Sequence, residues 1–379
     1  MGETMDLEAY RSHFEAVPGY LDFARYGPPS LDVVHNARTA MSRVMSGEND
    51  VEELREYERS ALASVARLTG RDGPDQAVFA SSTSAGLFQL AFGLSGAGKS
   101  EILVSPFEYP SNYYAWVRAA ERGGPRVTWL PCKEARVTPE LVADAITENT
   151  VALAVSAVDF RSGYRADLAG LREVLGDRLL LVDAIQGFGV VDMDWSQSDA
   201  TVVGGQKWLR SSWGTGFVSL SGRALDRLGD SLTGPTGAAD WTNFDETVHP
   251  SLATAGRFSM TNADLVAVAR LAAGLDLVAG LTPQGIDHAV QRVVGLLFDV
   301  IEHHGGSPLI PLSREERSGI VSFSLPPHSA EDVGRALGSR GVIATVRADH
   351  VRLSPHATTP EDIVGRVDDA LGSLNLVAH

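Results

Sequence analysis

An amine and a carboxylate that could act together on a carbonyl compound each follow an apolar segment of this 379-residue sequence. Asp183 ends the run LLLVD, and Lys207 comes 24 positions later, just after the apolar segment at 200–205. An amine that is desolvated at the end of a strand has a lowered pKa, which makes it a better nucleophile towards carbon. A buried carboxylate needs a cationic partner. The pair therefore indicates a site at the carboxyl ends of adjacent strands, where open α/β sheets bind ligands.

A cluster of hydroxyl side chains, SSTS at 81–84, lies where a predicted strand ends and a helix begins at about Ala85. The free N–H groups of a first helical turn, together with the helix dipole, suit a bound anion. Ordinary N-capping by Thr83 or Ser84 is the alternative. The segment alone leaves both interpretations open.

Pyridoxal phosphate would explain these features together. The cofactor needs a lysine for its aldehyde, a carboxylate that keeps its pyridine nitrogen protonated, and an anion site for its phosphate. Lys207, Asp183 and the hydroxyl cluster match these needs, and a glycine-rich turn, WGTGF at 213–217, follows the lysine.

The segment GLSGAGKS at 93–100 has the spacing of a nucleotide-binding phosphate loop. Such a loop follows a strand and opens a helix, so that its N–H groups face the phosphates. Here the predicted order is reversed, with a helix before the segment and a strand after it. We therefore interpret Gly93, Gly96 and Gly98 as helix-ending residues and Lys99 as part of a solvent-exposed turn. A kinase or ATPase would depend on this segment alone.

Helical and extended patterns alternate between about residues 50 and 220, which predicts an α/β fold with a mostly parallel sheet and helices on both faces. The predicted strands lie at 76–81, 101–105, 126–130, 151–156, 178–183 and 200–205. The predicted helices between them lie at 51–68, 83–94, 111–122, 140–146 and 168–175. Beyond residue 260 the pattern changes to a smaller α+β unit. We expect a large domain at 15–260 and a small domain at 261–379 that includes residues 1–14.

The amino-acid composition limits the kinds of molecule that the protein is expected to bind. A net charge of −16 argues against nucleic acid and anionic membrane surfaces. The single cysteine, Cys132, excludes an intramolecular disulfide and a thiolate metal cluster, and the ten histidines show no metal-ligand spacing. The N-terminal segment lacks the pattern of a signal peptide, and the apolar segment 265–281 is interrupted by Arg270 and Asp276. We expect a cytoplasmic enzyme of small molecules.

Around Asp183, Lys207 and the turn WGTGF, the chain resembles the class V aminotransferase family of fold-type I pyridoxal-phosphate enzymes. This family includes cysteine desulfurases, isopenicillin N epimerase-like proteins and kynureninase. The resemblance extends from YLDFARYGPPS at 20–30 to VRLSPHATTPEDI at 351–363. It implies pyridoxal phosphate as the cofactor and the fold-type I architecture.

The resemblance also implies roles for single residues around the cofactor. Lys207 would form the Schiff base, Asp183 would pair with the pyridinium nitrogen, and Gln186 would bind the phenolic oxygen. Thr83 and Ser84 would hold the phosphate.

Tyr109 in FEYPSNYYAW matches the residue whose ring stacks on the cofactor, often His or Phe in relatives; a core tyrosine is the alternative. Arg352 matches the arginine that binds the substrate α-carboxylate, for which a bidentate guanidinium is well suited. Arg347 would be either a second clamp or a surface charge. Arg161 and Arg165 would either bind a second acid group or remain solvated.

Two further positions concern the phosphate. The segment GRFSMTN at 256–262 resembles one that reaches the phosphate of a partner subunit, with Thr261 and Arg257 as candidates, so a homodimer is implied. Gln206 stands where many relatives have His and is retained as a cofactor-binding candidate, while Gly204 replaces a frequent phosphate-binding serine.

The expected activity is that of an aminotransferase acting on an amino acid or an amino-bearing metabolite. A β-eliminating C–S or C–Se lyase or an epimerase is the alternative, and a silent dimeric binding protein is a third. A persulfide-forming desulfurase is disfavoured because residues 334–360 contain no cysteine to receive the sulfur.

Overall fold

A computed structural model describes residues 4–46, 51–95 and 99–375 of the chain. Its largest element is a seven-stranded sheet formed by β1 (Ala77–Phe79), β2 (Glu101–Val104), β3 (Arg126–Trp129), β4 (Thr150–Ser156), β5 (Leu179–Asp183), β6 (Ala200–Gly204) and β7 (Gly216–Leu220). The strand order is β1-β7-β6-β5-β4-β2-β3, and β7 runs against the other six strands. The predicted mostly parallel sheet is therefore confirmed.

Twelve α-helices connect and cover the strands within the described part of the chain. They are α1 (Leu7–Ser12), α2 (Leu31–Ser46), α3 (Val51–Leu68), α4 (Thr83–Gly93), α5 (Pro110–Ala120), α6 (Pro139–Ala145), α7 (Leu168–Leu175), α8 (Gly222–Arg227), α9 (Leu265–Leu281), α10 (Pro283–His303), α11 (Ala330–Ser339) and α12 (Ile363–Asn375).

The central strands β4, β5 and β6 are apolar at most positions because both faces of the sheet are buried. In β4, Leu153 and Val155 pack into one hydrophobic cluster, whereas Ala152 and Ala154 pack into another on the opposite face. Alternate residues of a strand point to opposite faces, so a strand covered on both sides reads as one continuous apolar run.

A second, four-stranded antiparallel sheet contains β8 (Ser307–Pro308), β9 (Val321–Ser324), β10 (Thr345–Val346) and β11 (Val351–Leu353), in the order β10-β11-β9-β8. We call it the small sheet, and it agrees with the predicted α+β unit. Residues near the start of the chain reach it through bridges from Tyr20 to Ile343 and from Asp22 to Ser354. The domain boundary at 260/261 stays a prediction.

Five elements of the structure have no counterpart among the predicted elements. They are the helices α1, α2 and α8, the antiparallel strand β7 and the short strand β8. The order around the phosphate-loop-like segment is as predicted, because α4 ends at Gly93 and β2 begins at Glu101. Gly96 and Gly98 lie outside the described residues.

No single helix of the described chain has the length and apolarity needed to cross a membrane. Helices α9 and α10 meet this requirement only as a pair, and the chain bends by 79° between them. The cytoplasmic location stays a prediction.

Candidate active site

The reactive pair lies where the sheet prediction places it. Asp183 is the last residue of β5, and Lys207 is the third residue after the end of the neighbouring strand β6. Because β5 and β6 are parallel neighbours, both side chains reach the same edge of the sheet.

A cavity of about 320 Å³ opens at this edge. Nine of the ten residues predicted to bind cofactor or substrate line it: Thr83, Ser84, Tyr109, Asp183, Gln186, Gln206, Lys207, Arg347 and Arg352. The tertiary structure thus brings together residues that are spread over 270 positions of the chain.

The N-terminal segment packs directly on the lysine turn. The amide of Gly27 donates a hydrogen bond to the carbonyl of Gln206 (2.9 Å). A Cβ at Gly27 would lie 2.1 Å from the carbonyl oxygen of Lys207, so this close approach of two backbones requires glycine.

Burial governs the charges of the reactive pair. It lowers the pKa of the Lys207 amine to about 8, and the nearby Asp183 charge opposes this effect only in part. Burial also raises the pKa of the Asp183 carboxyl to about 6, against a hydrogen bond from the amide of Ile185 (3.1 Å) and the charge of Lys207. With a pKa of about 8, roughly a tenth of the amine is uncharged and nucleophilic at pH 7, far more than for an ordinary lysine.

We predict that Lys207 of the cofactor-free protein reacts with a small amine reagent at an unusually low pH. Only the neutral amine reacts, so its labelling rate should rise about tenfold per pH unit and level off above about pH 8, instead of the usual lysine value of 10.5. Reductive methylation with formaldehyde and cyanoborohydride, followed by peptide mass spectrometry, measures this rate. The chain has two other lysines, the exposed Lys99 and Lys133, which serve as internal references. A Lys207 profile parallel to theirs would contradict the prediction.

The start of α4 has the features of an anion site. The helix begins at Thr83 and is capped by Ser82, whose hydroxyl accepts a hydrogen bond from the amide of Ala85 (3.1 Å). The helix therefore starts where the predicted helix 83–94 starts and two residues before the start at about Ala85 that the hydroxyl cluster suggested, and capping by Thr83 or Ser84 is wrong. Because Ser82 supplies the cap, the hydroxyl groups of Thr83 and Ser84 are not used for capping, and both residues line the cavity. The Ser84 hydroxyl forms a hydrogen bond with the hydroxyl of Ser111 (2.7 Å).

The Thr83 hydroxyl is the clearest sign that the start of α4 binds a ligand. Its oxygen is buried and has no hydrogen-bond partner among the described residues. A Cβ at Gly204 would lie 2.8 Å from this oxygen and 2.7 Å from Oε1 of Gln206, so these two side chains fill the space that a serine would use. An unpaired hydroxyl at a helix N-terminus fits a phosphate group.

We predict opposite effects of replacing Thr83 with valine on the cofactor-free and cofactor-bound protein. Removing an unpaired buried hydroxyl should stabilise the cofactor-free fold by about 1 kcal/mol. Losing a hydrogen bond to a charged phosphate should weaken cofactor affinity about 10- to 100-fold. Thermal unfolding and cofactor titration measure the two effects. Thr201→Val is the matched control, because the equally buried Thr201 hydroxyl pairs with Ser198 (2.6 Å) and its loss should destabilise the fold.

Tyr109 and Gln186 lie around the ring end of the cavity. The Tyr109 ring centroid is 5.7 Å from Nζ of Lys207, and the ring meets Phe160 edge-on at 5.1 Å. Tyr109 is 45% exposed, so the core-tyrosine alternative is wrong. The Gln186 amide is held by hydrogen bonds to the carbonyl of Ala24 and from the indole of Trp208, both 2.9 Å. Its second N–H is the donor that a phenolic oxygen could use.

Arg352 is almost fully buried in β11, with 4% of its surface exposed. Its guanidinium donates to the carbonyl of Phe160 (2.8 Å) and to the hydroxyl of Thr345 (3.2 Å), and it lies 3.5 Å from the Asp22 carboxylate. Its Nε is buried and finds no partner within the described chain. These contacts hold the side chain in place and use at most three of its five N–H donors, which leaves donors for a carboxylate.

Four candidate residues lie outside the cavity. Thr261 is exposed, and the Arg257 guanidinium donates to four main-chain carbonyls, so any phosphate contact from this segment needs a second subunit. Arg165 pairs with Asp287 (3.6 Å), which shows that it is neither a cavity residue nor a solvated charge. Arg161 is exposed and packs against Phe160.

The structure also reveals a buried residue that sequence reasoning missed. The Glu108 carboxylate accepts hydrogen bonds from the Ser156 amide and the Asn112 amide group, both 2.9 Å, and from the Ser156 hydroxyl. Burial raises its pKa to about 7, and the charge of Asp183 adds to this shift. Glu108 thereby ties the start of α5, next to Tyr109, to the end of β4. An acidic residue four positions before an asparagine, just after an apolar strand, was the signal in the sequence.

Comparison with known proteins agrees with this geometry. A family model, aminotransferase class-V, matches residues 35–357. The chain belongs to the class V aminotransferase family. Enzymes of this family use pyridoxal phosphate, so the cofactor prediction is confirmed at the level of the family.

Individual members of the class V aminotransferase family differ in their named activities. The chain is 24% identical to the uncharacterized aminotransferase YcbU of Bacillus subtilis, over 84% of this chain and 83% of the relative. It is 29% identical to isopenicillin N epimerase of Streptomyces clavuligerus, over 83% of each chain. A solved structure of a C-DES mutant with glycine covalently linked to pyridoxal phosphate has a TM-score of 0.85 and 18% identity, covering 97% of this chain and 99% of C-DES. That likeness confirms the fold.

Proposed function

We propose that the protein is a pyridoxal-phosphate-dependent aminotransferase that acts on an amino acid or a related amino-bearing metabolite. The observation that carries the proposal is the pairing of Lys207 and Asp183 at one cavity, with the buried guanidinium of Arg352 on its wall. Family membership supports the cofactor, and the long match to an aminotransferase-named relative supports the reaction.

Each predicted residue has a task that its surroundings suit. When bound, pyridoxal phosphate supplies the electron sink that acidifies the substrate α-carbon. Asp183 keeps the pyridine nitrogen protonated, and Thr83 and Ser84 hold the phosphate at the start of α4. Tyr109 would contact the ring of the cofactor, and Arg352 would orient the substrate through its α-carboxylate.

Lys207 moves the proton in this proposal. Its lowered pKa of about 8 leaves part of the amine neutral near neutral pH, and this amine would accept the α-proton of the substrate and return it as the ammonium. Arginines remain protonated, so Lys207 is the one amine base among the described residues of the cavity wall. Transamination needs one base on one face, whereas epimerisation needs protonation from both.

A β-eliminating C–S lyase is the second candidate. Solved structures of the cystine C–S lyase C-DES share the fold, and one contains its product, cysteine persulfide. No cysteine is among the described residues that line the cavity, and Cys132 is half-buried against the hydrophobic core. This arrangement disfavours a desulfurase that passes sulfur to its own thiol, but it leaves direct elimination as a testable alternative.

Incubation of the holoenzyme with a panel of amino acids, without an oxo-acid acceptor, tests the proposal. Transamination yields pyridoxamine phosphate and one equivalent of oxo acid. Elimination yields ammonia and pyruvate without conversion of the cofactor, and epimerisation yields only the inverted amino acid. Either of the last two outcomes would overturn the aminotransferase assignment.

We also propose a homodimer with active sites at the interface. Thr261 lies outside the cavity of its own subunit, so its predicted contact with phosphate requires a partner. Sedimentation equilibrium tests the dimer, and a monomer with full activity would contradict it.

A further inference from the structure

The cavity carries more positive charge than the proposed chemistry uses. Arg25, Arg347 and Arg352 line it together with Lys207, whereas Asp183 is the one carboxylate among the described lining residues. This contrasts with the chain as a whole, whose net charge is −16. A local reversal of sign on an acidic protein concentrates anions at that place.

The three arginines come from the side of the cavity that faces the small sheet. Arg352 lies in β11, and Arg347 lies in the turn after β10. The amide of Arg347 donates a hydrogen bond to the carbonyl of His350 (2.9 Å). Arg25 belongs to the N-terminal segment that is tied to β11 through the amide of Phe23 and the carbonyl of Ser354 (3.3 Å).

The phosphate site lies elsewhere in the cavity. It is formed by the start of α4 in the large unit, where Thr83 has its unpaired hydroxyl. The cofactor phosphate therefore leaves the arginines of the small-sheet side to the substrate.

Two of these arginines have no internal counter-charge within the described ranges. Arg352 has Asp22 at 3.5 Å, but no carboxylate of the described chain forms an ion pair with Arg25 or Arg347, and both side chains are exposed. The charges of Arg347 and Arg25 are close enough to add to burial in lowering the pKa of Arg352. Like charges around one cavity repel, and a bound anion relieves that repulsion.

We propose that the substrate is an amino acid with a second carboxylate on its side chain, recognised by Arg347 and Arg25 while Arg352 binds the α-carboxylate. This inference rests on the proposed function and adds the class of its substrate. A forked, weakly hydrated guanidinium suits a carboxylate better than an amide of the same shape, which can accept but carries no charge.

Isosteric pairs of ligands test the proposal with the holoenzyme. Calorimetry compares glutarate with glutaramate and succinate with succinamate, which lack the amine and cannot react. Kinetics compares L-glutamate with L-glutamine and L-aspartate with L-asparagine. We expect at least one acid to bind, and to be converted, about 30-fold better than its amide. Arg347→Gln and Arg25→Gln should each reduce this preference about tenfold, and Arg122→Gln, an exposed arginine just after α5, should leave it unchanged.

The outcomes separate this inference from the proposed function. Equal binding of acid and amide, or variants at both arginines that keep the preference, would overturn the dicarboxylate assignment even if amino acids convert the cofactor. Loss of cofactor retention in Arg25→Gln, with the preference intact, would assign Arg25 to the phosphate and overturn its role here. A retained preference for dicarboxylates without conversion of any amino acid would support the inference and overturn the transamination.

Discussion

Replacing Lys207 with alanine should remove the covalently fixed cofactor and lower turnover by about 10³-fold or more. The reason is that the variant loses both the nucleophile for the cofactor aldehyde and the base for the α-proton, each worth orders of magnitude in rate. Borohydride reduction followed by peptide mapping should place the cofactor on Lys207 in the wild-type protein and on no residue in the variant.

The other lysines make this experiment decisive. The chain contains three lysines, and Lys99 and Lys133 are both exposed, so Lys99→Ala and Lys133→Ala should keep the visible cofactor band and the activity. Fixation of the cofactor on Lys99 or Lys133 would refute the assignment. ATP binding that disappears in Lys99→Ala would instead support the phosphate-loop interpretation of residues 93–100.

Asp183→Asn should have the second largest effect. The cofactor should still be fixed on Lys207, but turnover should fall about 100-fold or more, since removing one partner of a buried charge pair costs about 2–5 kcal/mol. The carboxylate holds the proton of the pyridine nitrogen, and a neutral amide cannot hold that charge. Single-turnover absorbance of the bound cofactor measures the loss.

The stability of cofactor-free Asp183→Asn should not fall together with its turnover. Comparing the two measurements therefore distinguishes a role of Asp183 in the reaction from a role in folding. The pKa of Asp183 is raised from 3.8 to about 6 by burial, so its ionisation destabilises the cofactor-free fold as pH rises through this window. At pH 8 the carboxylate is charged, and the asparagine variant lacks this penalty. We expect cofactor-free Asp183→Asn to melt no lower than the wild type at pH 8 and to lose any advantage below pH 4. A variant that melts much lower at pH 8 would show that Asp183 is a structural residue.

The reaction type depends on details that family membership leaves open. Relatives of this chain are named as an aminotransferase, an epimerase, a kynureninase and cysteine desulfurases. The groups that line the cavity besides Lys207 and Asp183 are therefore the ones to test. They include three arginines on the small-sheet side and Tyr109 near the lysine.

Much of the fold, and the positions of Asp183 and Lys207 at the sheet edge, could be predicted from local patterns in the sequence. Strands buried on both faces are continuous apolar runs, and the polar residues at their ends stand out, which is why Asp183 and Lys207 were found. Helix α2 was missed because its buried positions are few, Val33 and Ala40 among them.

The amino-acid sequence by itself determined the six parallel strands of the sheet, the positions of Asp183 and Lys207 at their ends, and the cofactor class, because these depend on short apolar runs and on which residues follow them. Only the tertiary structure decided that Ser82 caps α4 and leaves Thr83 unpaired, that Glu108 is buried behind Asp183, and that Arg25 joins the other arginines. Each of these depends on segments far apart in the chain that meet in space. Contacts of this kind leave no periodic pattern in the sequence, because the burial and the charge balance of a residue depend on neighbours that are distant along the chain.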